Sequence, residues 1–295
     1  MSSFRGVLFY VIVSVCVAGT DDKDCKNKID AEAYLETVTE LVNKVKEHFP
    51  KDGNCRCPPK PMDCSEILSC GKNETGIYEI WPRNRIMTGS VNAFCDMETD
   101  EGGWTVLQRR GNYGRPIDYF NKKWKSYKFG FGDPKRDFWI GNDIIYALTN
   151  QDKYYLRIDM TDAENTSRAA VYDQFWIEDE SQQYRLQIHD YGGGEAGDSL
   201  IEWHGGQKFS TKDRDNDISS DNCAQNFTGG WWYSDCHTSN LNGFYVSEKR
   251  RNYDNGIVWS SWKGYHEFLK KTEMKIRPAS FKSTESSLNL NVDPQ

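Results

Sequence analysis

The spacing of apolar residues takes four characters along the chain. Val7 to Val17 form one apolar run behind Arg5, followed by the small Ala18 and Gly19 and then Thr20-Asp21-Asp22. One positive charge, an apolar stretch of about 11 residues and small residues at its end make the pattern of a secretory leader, which predicts that residues 1–19 are removed. The run is shorter than the roughly 20 residues that cross a bilayer, and no later segment is longer, so membrane insertion is not expected. Between Asp30 and Pro50, Leu35, Val38, Val42, Val45 and Phe49 follow a 3-4-3-4 spacing with Glu and Lys between them. That period predicts a helix, stopped by Pro50 and Asp52-Gly53. Two heptads are marginal alone, because nucleation is costly and propagation short. The helix therefore either packs on the rest of the protein or serves as an oligomerisation stem over residues 20–61.

From residue 62 the period shortens. Gly76–Ile80, Trp104–Gln108, Tyr154–Ile158 and Tyr184–Ile188 read as strands between Gly, Asn and Asp turns. Asn142–Leu148 reads as helical. Residues 280–295, rich in Ser and Asn, carry no period and read as a mobile tail. The pattern is that of an α+β domain at 62–279 with long irregular stretches in its last third.

Composition narrows the partners. Aromatic residues make up 14% of the 295 residues, enough large rings to build a core despite a hydrophobic share of only 37%. A net charge of −7 argues against nucleic acid, which needs a clustered positive field. Without the leader, cysteines remain at 25, 55, 57, 64, 70, 95, 223 and 236, and an even number in a secreted protein reads as disulfides. Zinc at Cys55-Arg-Cys57 would need a second spaced pair, and none follows. Some of Cys25, Cys55 and Cys57 could instead lock a stem between chains. No His-Glu-x-x-His, Gly-x-Ser-x-Gly or P-loop is present, and Gly192–Gly194 lacks the strand, helix and Lys of a phosphate loop, so an enzyme is not expected.

Longer motifs are more specific. Cys95-Asp-Met-Glu-Thr-Asp-Glu-Gly-Gly-Trp-Thr-Val-Leu-Gln-Arg-Arg110, Trp231-Trp232 with Cys236-His237, Asn240-Leu-Asn-Gly243 and Met274-Lys-Ile-Arg-Pro278 together resemble the fibrinogen C-terminal domain family. Within it the sequence is most similar to the ficolins and tachylectin-type agglutinins. The resemblance implies a twisted, mainly antiparallel sheet with short helices and a long-loop calcium and ligand subdomain. It also implies disulfides Cys64–Cys95 and Cys223–Cys236, and leaves Cys25, Cys55, Cys57 and Cys70 unassigned.

The acidic run Asp213-Arg-Asp215-Asn-Asp217-Ile-Ser219-Ser-Asp221 is, by spacing alone, either a calcium loop or a solvated turn. It is not an EF-hand: counted from Asp213, Ile218 stands where Gly is needed and Ala224 where Glu is needed. The resemblance implies Ca2+ held by Asp215 and Asp217, with backbone carbonyls of Ser219 and Asp221. Related domains carry Gly where Asp221 stands, and Asp tolerates the left-handed region better than most residues.

The resemblance further implies a ligand pocket of Phe227, Cys236, His237, Tyr253 and Tyr265, with a cis peptide bond at Cys236-His237, taking an acetyl group. Two positions depart from the acetyl-binding lectins: Phe227 stands for Tyr, and Asp254 for Ala. Tyr253-Asp254 looks instead like fibrinogen's polymerisation pocket, which grips an amine and an arginine, and a carboxylate there favours a cation. Asn73, Asn165 and Asn226 head glycosylation patterns, the last inside the pocket loop. The expectation is thus a secreted, extracellular, calcium-dependent lectin for acetylated carbohydrates on microbial surfaces, a homo-oligomer through its stem. The alternatives are a peptide or cation binder, or a receptor ligand, using the same pocket.

Overall fold

The computed structural model describes residues 37–44, 57–86, 88–245 and 255–281. The protein forms two compact units, divided between Cys55 and Arg56. The predicted leader, Leu35, Val45, Phe49, Cys25, Cys55, Tyr253 and Asp254 all lie outside the described residues.

In the first unit, residues 37–44 are helical (α1), inside the segment whose spacing predicts a helix. Its apolar residues face solvent: Val38 is 55% exposed, Leu41 57% and Val42 44%. Glu40 and Lys44 form an i,i+4 ion pair at 3.6 Å, a modest support for an exposed helix.

In the second unit the strands are β1 (Gly76–Ile80), β2 (Val91–Asp96), β3 (Trp104–Arg110), β4 (Phe131–Gly132), β5 (Phe138–Trp139), β6 (Tyr154–Thr161), β7 (Ser167–Ile177), β8 (Leu186–Gly193), β9 (Ser239–Asn240), β10 (Val258–Trp259) and β11 (Lys271–Pro278). The helices are short: α2 (Cys64–Ser69), α3 (Trp124–Phe129), α4 (Asn142–Thr149), α5 (Ile201–His204), α6 (Cys223–Asn226) and α7 (Ser260–Lys263). The main sheet runs β1-β2-β3-β11-β6-β7-β8, every pair antiparallel, with β5 and β4 branching from β3. The last strand thus fills the centre of the sheet, between β3 and β6.

Alternation explains which face is covered. Tyr154, Leu156, Ile158 and Met160 of β6 are buried while the residues between them are half-buried. Helix α4 closes over β7: Thr149 accepts from Ile177 N at 3.3 Å, and Asn150 donates to Ile177 O at 2.9 Å. The predicted strand Tyr184–Ile188 begins only at Leu186. Gln183 and Tyr184 have φ of 54° and 49°, so the backbone turns there. The turn is held by the Tyr184 ring, which stacks on Trp124 at 5.4 Å and donates its hydroxyl to Asp143 at 2.5 Å.

Disulfides Cys64–Cys95 and Cys223–Cys236 are present. A third, Cys57–Cys70, corrects the idea that Cys57 locks a stem, since both of its partners belong to one polypeptide. Beyond the sheet, Trp139, Phe209, Trp231 and Trp232 form a buried aromatic layer, with neighbouring ring centroids 5.2–6.1 Å apart. It underlies the irregular segment 199–243. Such ring pairs bury much area and fix geometry, so the segment holds a defined shape with little regular structure. Ser280 and Phe281 of the expected mobile tail are described, and Phe281 lies against the Arg277 guanidinium at 4.3 Å.

Candidate functional site

Two loops meet through one disulfide. The first opens with a turn in which Thr211 and Arg214 exchange backbone hydrogen bonds of 2.9 and 3.0 Å. Asp213 serves this turn: its Oδ1 accepts from Thr211 Oγ1 at 2.8 Å and from Trp124 N, at the start of α3, at 2.8 Å. Asp215 Oδ1 then accepts from Asp217 N at 3.2 Å, and Asp217 Oδ1 from Ser219 N at 3.2 Å. Asp217 Oδ2 accepts from Cys223 N at 3.1 Å. These steps curl the loop so that the carboxylates of Asp215 and Asp217 adjoin.

The Asp217 carboxyl is pushed up to about 6, first by burial and next by the charge of Asp215. Among the described residues no Lys, Arg or His forms an ion pair with either carboxylate. Adjacent carboxylates without a counter-charge are unfavourable unless a cation joins them, and oxygen donors on a curled loop suit a hard divalent ion. Among the described residues no group of three or more His, Cys, Asp or Glu is gathered as a metal site. The fit is therefore to an ion that takes two carboxylates and completes its shell with backbone oxygens, as the expectation for Ser219 and Asp221 requires.

The second loop carries the pocket. Phe227, Cys236, His237 and Tyr265 line one cavity of about 330 Å3, together with Trp203, Asp235 and His266. His237 sits at the centre of the rings, 4.5 Å from Phe227, 6.1 Å from Tyr233 and 6.1 Å from Tyr265 between centroids. It is only 7% exposed, and neither of its ring nitrogens has a hydrogen-bond partner among the described residues. Burial, aided by the neighbouring His204, pushes its pKa down to about 3, so the ring is neutral. An unpaired buried polar ring on a cavity wall is costly to leave unmet.

The cis bond lies at Asp235–Cys236, one residue before the expected place. Ser234 N donates to Cys236 O at 2.8 Å across it. Cys236 is tied to Cys223, the first residue of α6, whose N–H binds Asp217. One covalent bond and one hydrogen bond thus connect the acidic loop to the pocket loop.

Three anchors escaped the sequence reading. His204 of α5, fully buried, has Nδ1 2.7 Å from Trp232 O and accepts at Nε2 from Thr238 N at 3.2 Å and Ser239 N at 3.1 Å. With Nε2 accepting twice, Nδ1 carries the proton and donates to the carbonyl. The ring staples both ends of the 232–239 loop. From β3, Gln108 donates to Leu241 O at 2.9 Å, and Arg110 to Leu241 O at 3.2 Å and Gly243 O at 2.8 Å. The signal for the last two was the end of the Cys95–Arg110 motif. Nothing local marked His204.

A larger cavity of about 850 Å3 crosses the exposed face of β2, β3, β11 and β6. Its charges are mutually committed: Lys275 holds Asp96 at 2.6 Å, Asp159 at 2.7 Å and Glu273 at 3.0 Å, while Arg109 takes Glu273 and Arg157 takes Asp159. Size alone does not make it the site, because the Lys275, Arg109 and Arg157 charges that line it are already paired. Asn73, Asn165 and Asn226, which head the three glycosylation patterns, are all exposed.

Comparison with known proteins follows the same line. Residues 60–279 match the family described as fibrinogen beta and gamma chains, C-terminal globular domain. The sequence is 45% identical over 289 residues to techylectin-5A of Tachypleus tridentatus, covering 95% of this protein and 98% of that one. It is 43% identical to a techylectin-like protein of Phoneutria nigriventer, covering 86% of this protein and 97% of that one. Among solved structures, lamprey fibrin D-dimer in complex with the peptide Gly-His-Arg-Pro-amide aligns with a TM-score of 0.69 at 30% identity, over 99% of this protein and 98% of that structure.

Proposed function

The protein belongs to the family of the C-terminal globular domain of fibrinogen beta and gamma chains, a family not known as enzymes, and from that premise we propose that it is a secreted, calcium-dependent lectin for acetylated carbohydrates. The observation that carries this reading is His237: neutral, buried, unpaired at both nitrogens, and packed among Phe227 and Tyr265 in a cavity. An acetyl group has a methyl that aromatic rings shelter and a carbonyl that needs a donor. Phe227 and Tyr265 supply the first. The N–H of neutral His237 and the backbone around Cys236 supply the second.

Calcium at Asp215 and Asp217, with carbonyls of Ser219 and Asp221, would neutralise the adjoining carboxylates. Asp217 then keeps its hydrogen bond to Cys223 N, and the disulfide carries that position to Cys236. Tyr253 is proposed as a further pocket ring. Asn73, Asn165 and Asn226 are proposed glycan acceptors.

One acetyl site offers few contacts, so a single head binds in the millimolar to micromolar range. Heads joined through the α1 stem gain avidity by ~10²–10⁴ on a repetitive microbial surface. The test is binding of the leaderless protein to an N-acetylated surface, with calcium and with chelator. Competition by N-acetylglucosamine and acetate but not by glucosamine supports the reading; binding indifferent to acetylation overturns it.

A second reading has its own observation. The exposed carboxylate of Asp235 lines the cavity, and a carboxylate beside a small pocket favours an amine or guanidinium. The proposed role of Asp254 points the same way. Under this reading the ligand is a cationic peptide end, or a receptor surface, in place of a sugar.

A further inference from the structure

Of the ten tryptophans, nine are buried or half-buried, and Trp203 alone is exposed, at 40%. It stands on the wall of the pocket that holds His237. Among the described residues its ring meets no other aromatic ring and no cation. A large apolar ring left bare beside a cavity loses burial it could have had in the core, and a ligand face restores it.

Its position is nonetheless fixed. At the start of α5, Asp198 Oδ1 accepts from Leu200 N and Ile201 N at 2.8 and 3.1 Å, and from the Tyr172 hydroxyl of β7 at 2.7 Å. At its end the adjacent His204 is bound to both ends of the pocket loop. The helix turn that carries Trp203 is thus pinned to the sheet on one side and to the pocket on the other. A platform held in place before binding costs little ordering entropy when it is used.

The cavity also exceeds its first occupant. At ~30 Å3 for each water of liquid volume, 330 Å3 corresponds to about ten waters, several times the three heavy atoms of an acetyl group. What remains beyond the Phe227, His237 and Tyr265 cluster includes Trp203 and the carboxylate of Asp235. An apolar plate beside a hydrogen-bond acceptor suits a pyranose ring, with its C–H face on the indole and its hydroxyls toward the carboxylate.

We infer that Trp203 is the platform for the sugar ring, so that the site reads an acetylated pyranose and not the acetyl group alone. This rests on the lectin reading above. The experiment compares acetate and N-acetylglucosamine as ligands of the full-length protein in calcium, for wild type, Trp203→Ala and Trp203→Tyr. The expected result is an unchanged acetate affinity in every form. N-acetylglucosamine affinity should fall roughly five- to tenfold in Trp203→Ala, the size of one aromatic contact, and be largely recovered in Trp203→Tyr. Equal losses for both ligands, or none for either, overturn the platform while leaving the lectin reading standing. A wild type that binds neither ligand overturns the lectin reading, and the platform with it. A measurement on the wild type alone guards against a misfolded variant. As the one exposed tryptophan, Trp203 should dominate iodide quenching of fluorescence. N-acetylglucosamine should protect it and acetate should not; protection by both, or by neither, counts against the platform.

Discussion

Cys223 N donates to Oδ2 of Asp217 at 3.1 Å, and the same cysteine is bonded to Cys236 on the pocket wall. Asp217 therefore faces two ways, toward Asp215 in the acidic loop and, through one disulfide, toward the ligand cavity. In the proposed reading, charge compensation in one loop and geometry in the other both run through this single carboxylate.

Asp217→Ala should accordingly weaken calcium and ligand together. Calcium affinity should drop at least tenfold, because one of two carboxylates is gone. Calcium bound as proposed would stabilise the wild type with the logarithm of its concentration, by about 2.7 kcal/mol at a hundred times its dissociation constant. The variant should lose most of that increment in thermal unfolding with and without chelator. Acetyl-ligand affinity that stays at the wild-type value while calcium binding is lost would break the coupling.

His204 makes a pH prediction. Burial holds its folded pKa at about 4, below the ordinary 6.5, with the Trp232 carbonyl and Asp198 opposing the shift. The unfolded protein takes up the proton first as pH falls. The stabilisation is complete above about pH 6.5 and is lost progressively toward pH 4, amounting to about 3 kcal/mol at ~1.4 kcal/mol per unit. His204→Phe leaves the Trp232 carbonyl and two N–H groups unpaired, a cost of about 1–3 kcal/mol for each group left buried. The variant should be several kcal/mol less stable at pH 7, and the gap should close on acidification. His237, which His204 also influences, titrates at about 3 in the folded protein, below the range compared, so down to pH 4.5 the difference between the melting curves is dominated by His204. A gap that stays constant from pH 7 to 4.5 would assign the acid sensitivity elsewhere.

These two residues also mark what the sequence could tell. Asp217, Cys223, Cys236 and His237 lie in motifs carried by the family resemblance, so the Cys223–Cys236 bond and the place of Cys236 and His237 on one cavity wall were legible. His204 and Trp203 sit side by side in a four-residue helix, too short for a hydrophobic period, and either reads as core. Only tertiary packing makes one a staple and the other an exposed wall. The start of β8 departs from the sequence pattern for a similar reason, because apolar alternation from Tyr184 ignores two residues with positive φ. Cys57–Cys70 was out of reach, since four unassigned cysteines permit several pairings and spacing does not choose among them.

Asp235→Asn separates the two readings of the pocket. Its exposed carboxylate lines the cavity but touches neither Asp215 nor Asp217 by any hydrogen bond among the described residues. An acetyl group needs no negative charge beside it and acetate is itself an anion, so acetate affinity should hold or rise modestly. A cationic peptide end would lose a charge-assisted hydrogen bond worth about 1.5–3 kcal/mol, at least tenfold in affinity. Titrating wild type and variant with acetate and with Gly-His-Arg-Pro-amide decides the matter. Strong peptide binding by the wild type that collapses in Asp235→Asn would displace the lectin reading.

The stem prediction follows from the apolar face of α1 and from Cys57. Val38, Leu41 and Val42 expose more apolar surface than a short free helix sustains, and Cys57 is already spent on Cys70. Cys25 and Cys55, which lie outside the described residues, are therefore the cysteines proposed to link subunits. Wild-type protein should run as cross-linked species on non-reducing gels and sediment as an oligomer. Cys25→Ser with Cys55→Ser should abolish the cross-links. Adding Leu41→Asp should dissociate the assembly, because a buried unpaired carboxylate in a two-heptad seam is not tolerated. Binding to free N-acetylglucosamine should remain, since the pocket belongs to the other unit, while binding to an N-acetylated surface should fall by ~10²–10⁴. A monomeric wild type that binds the surface as tightly as the multivalent reading requires would remove avidity from the account and leave one strong site in its place.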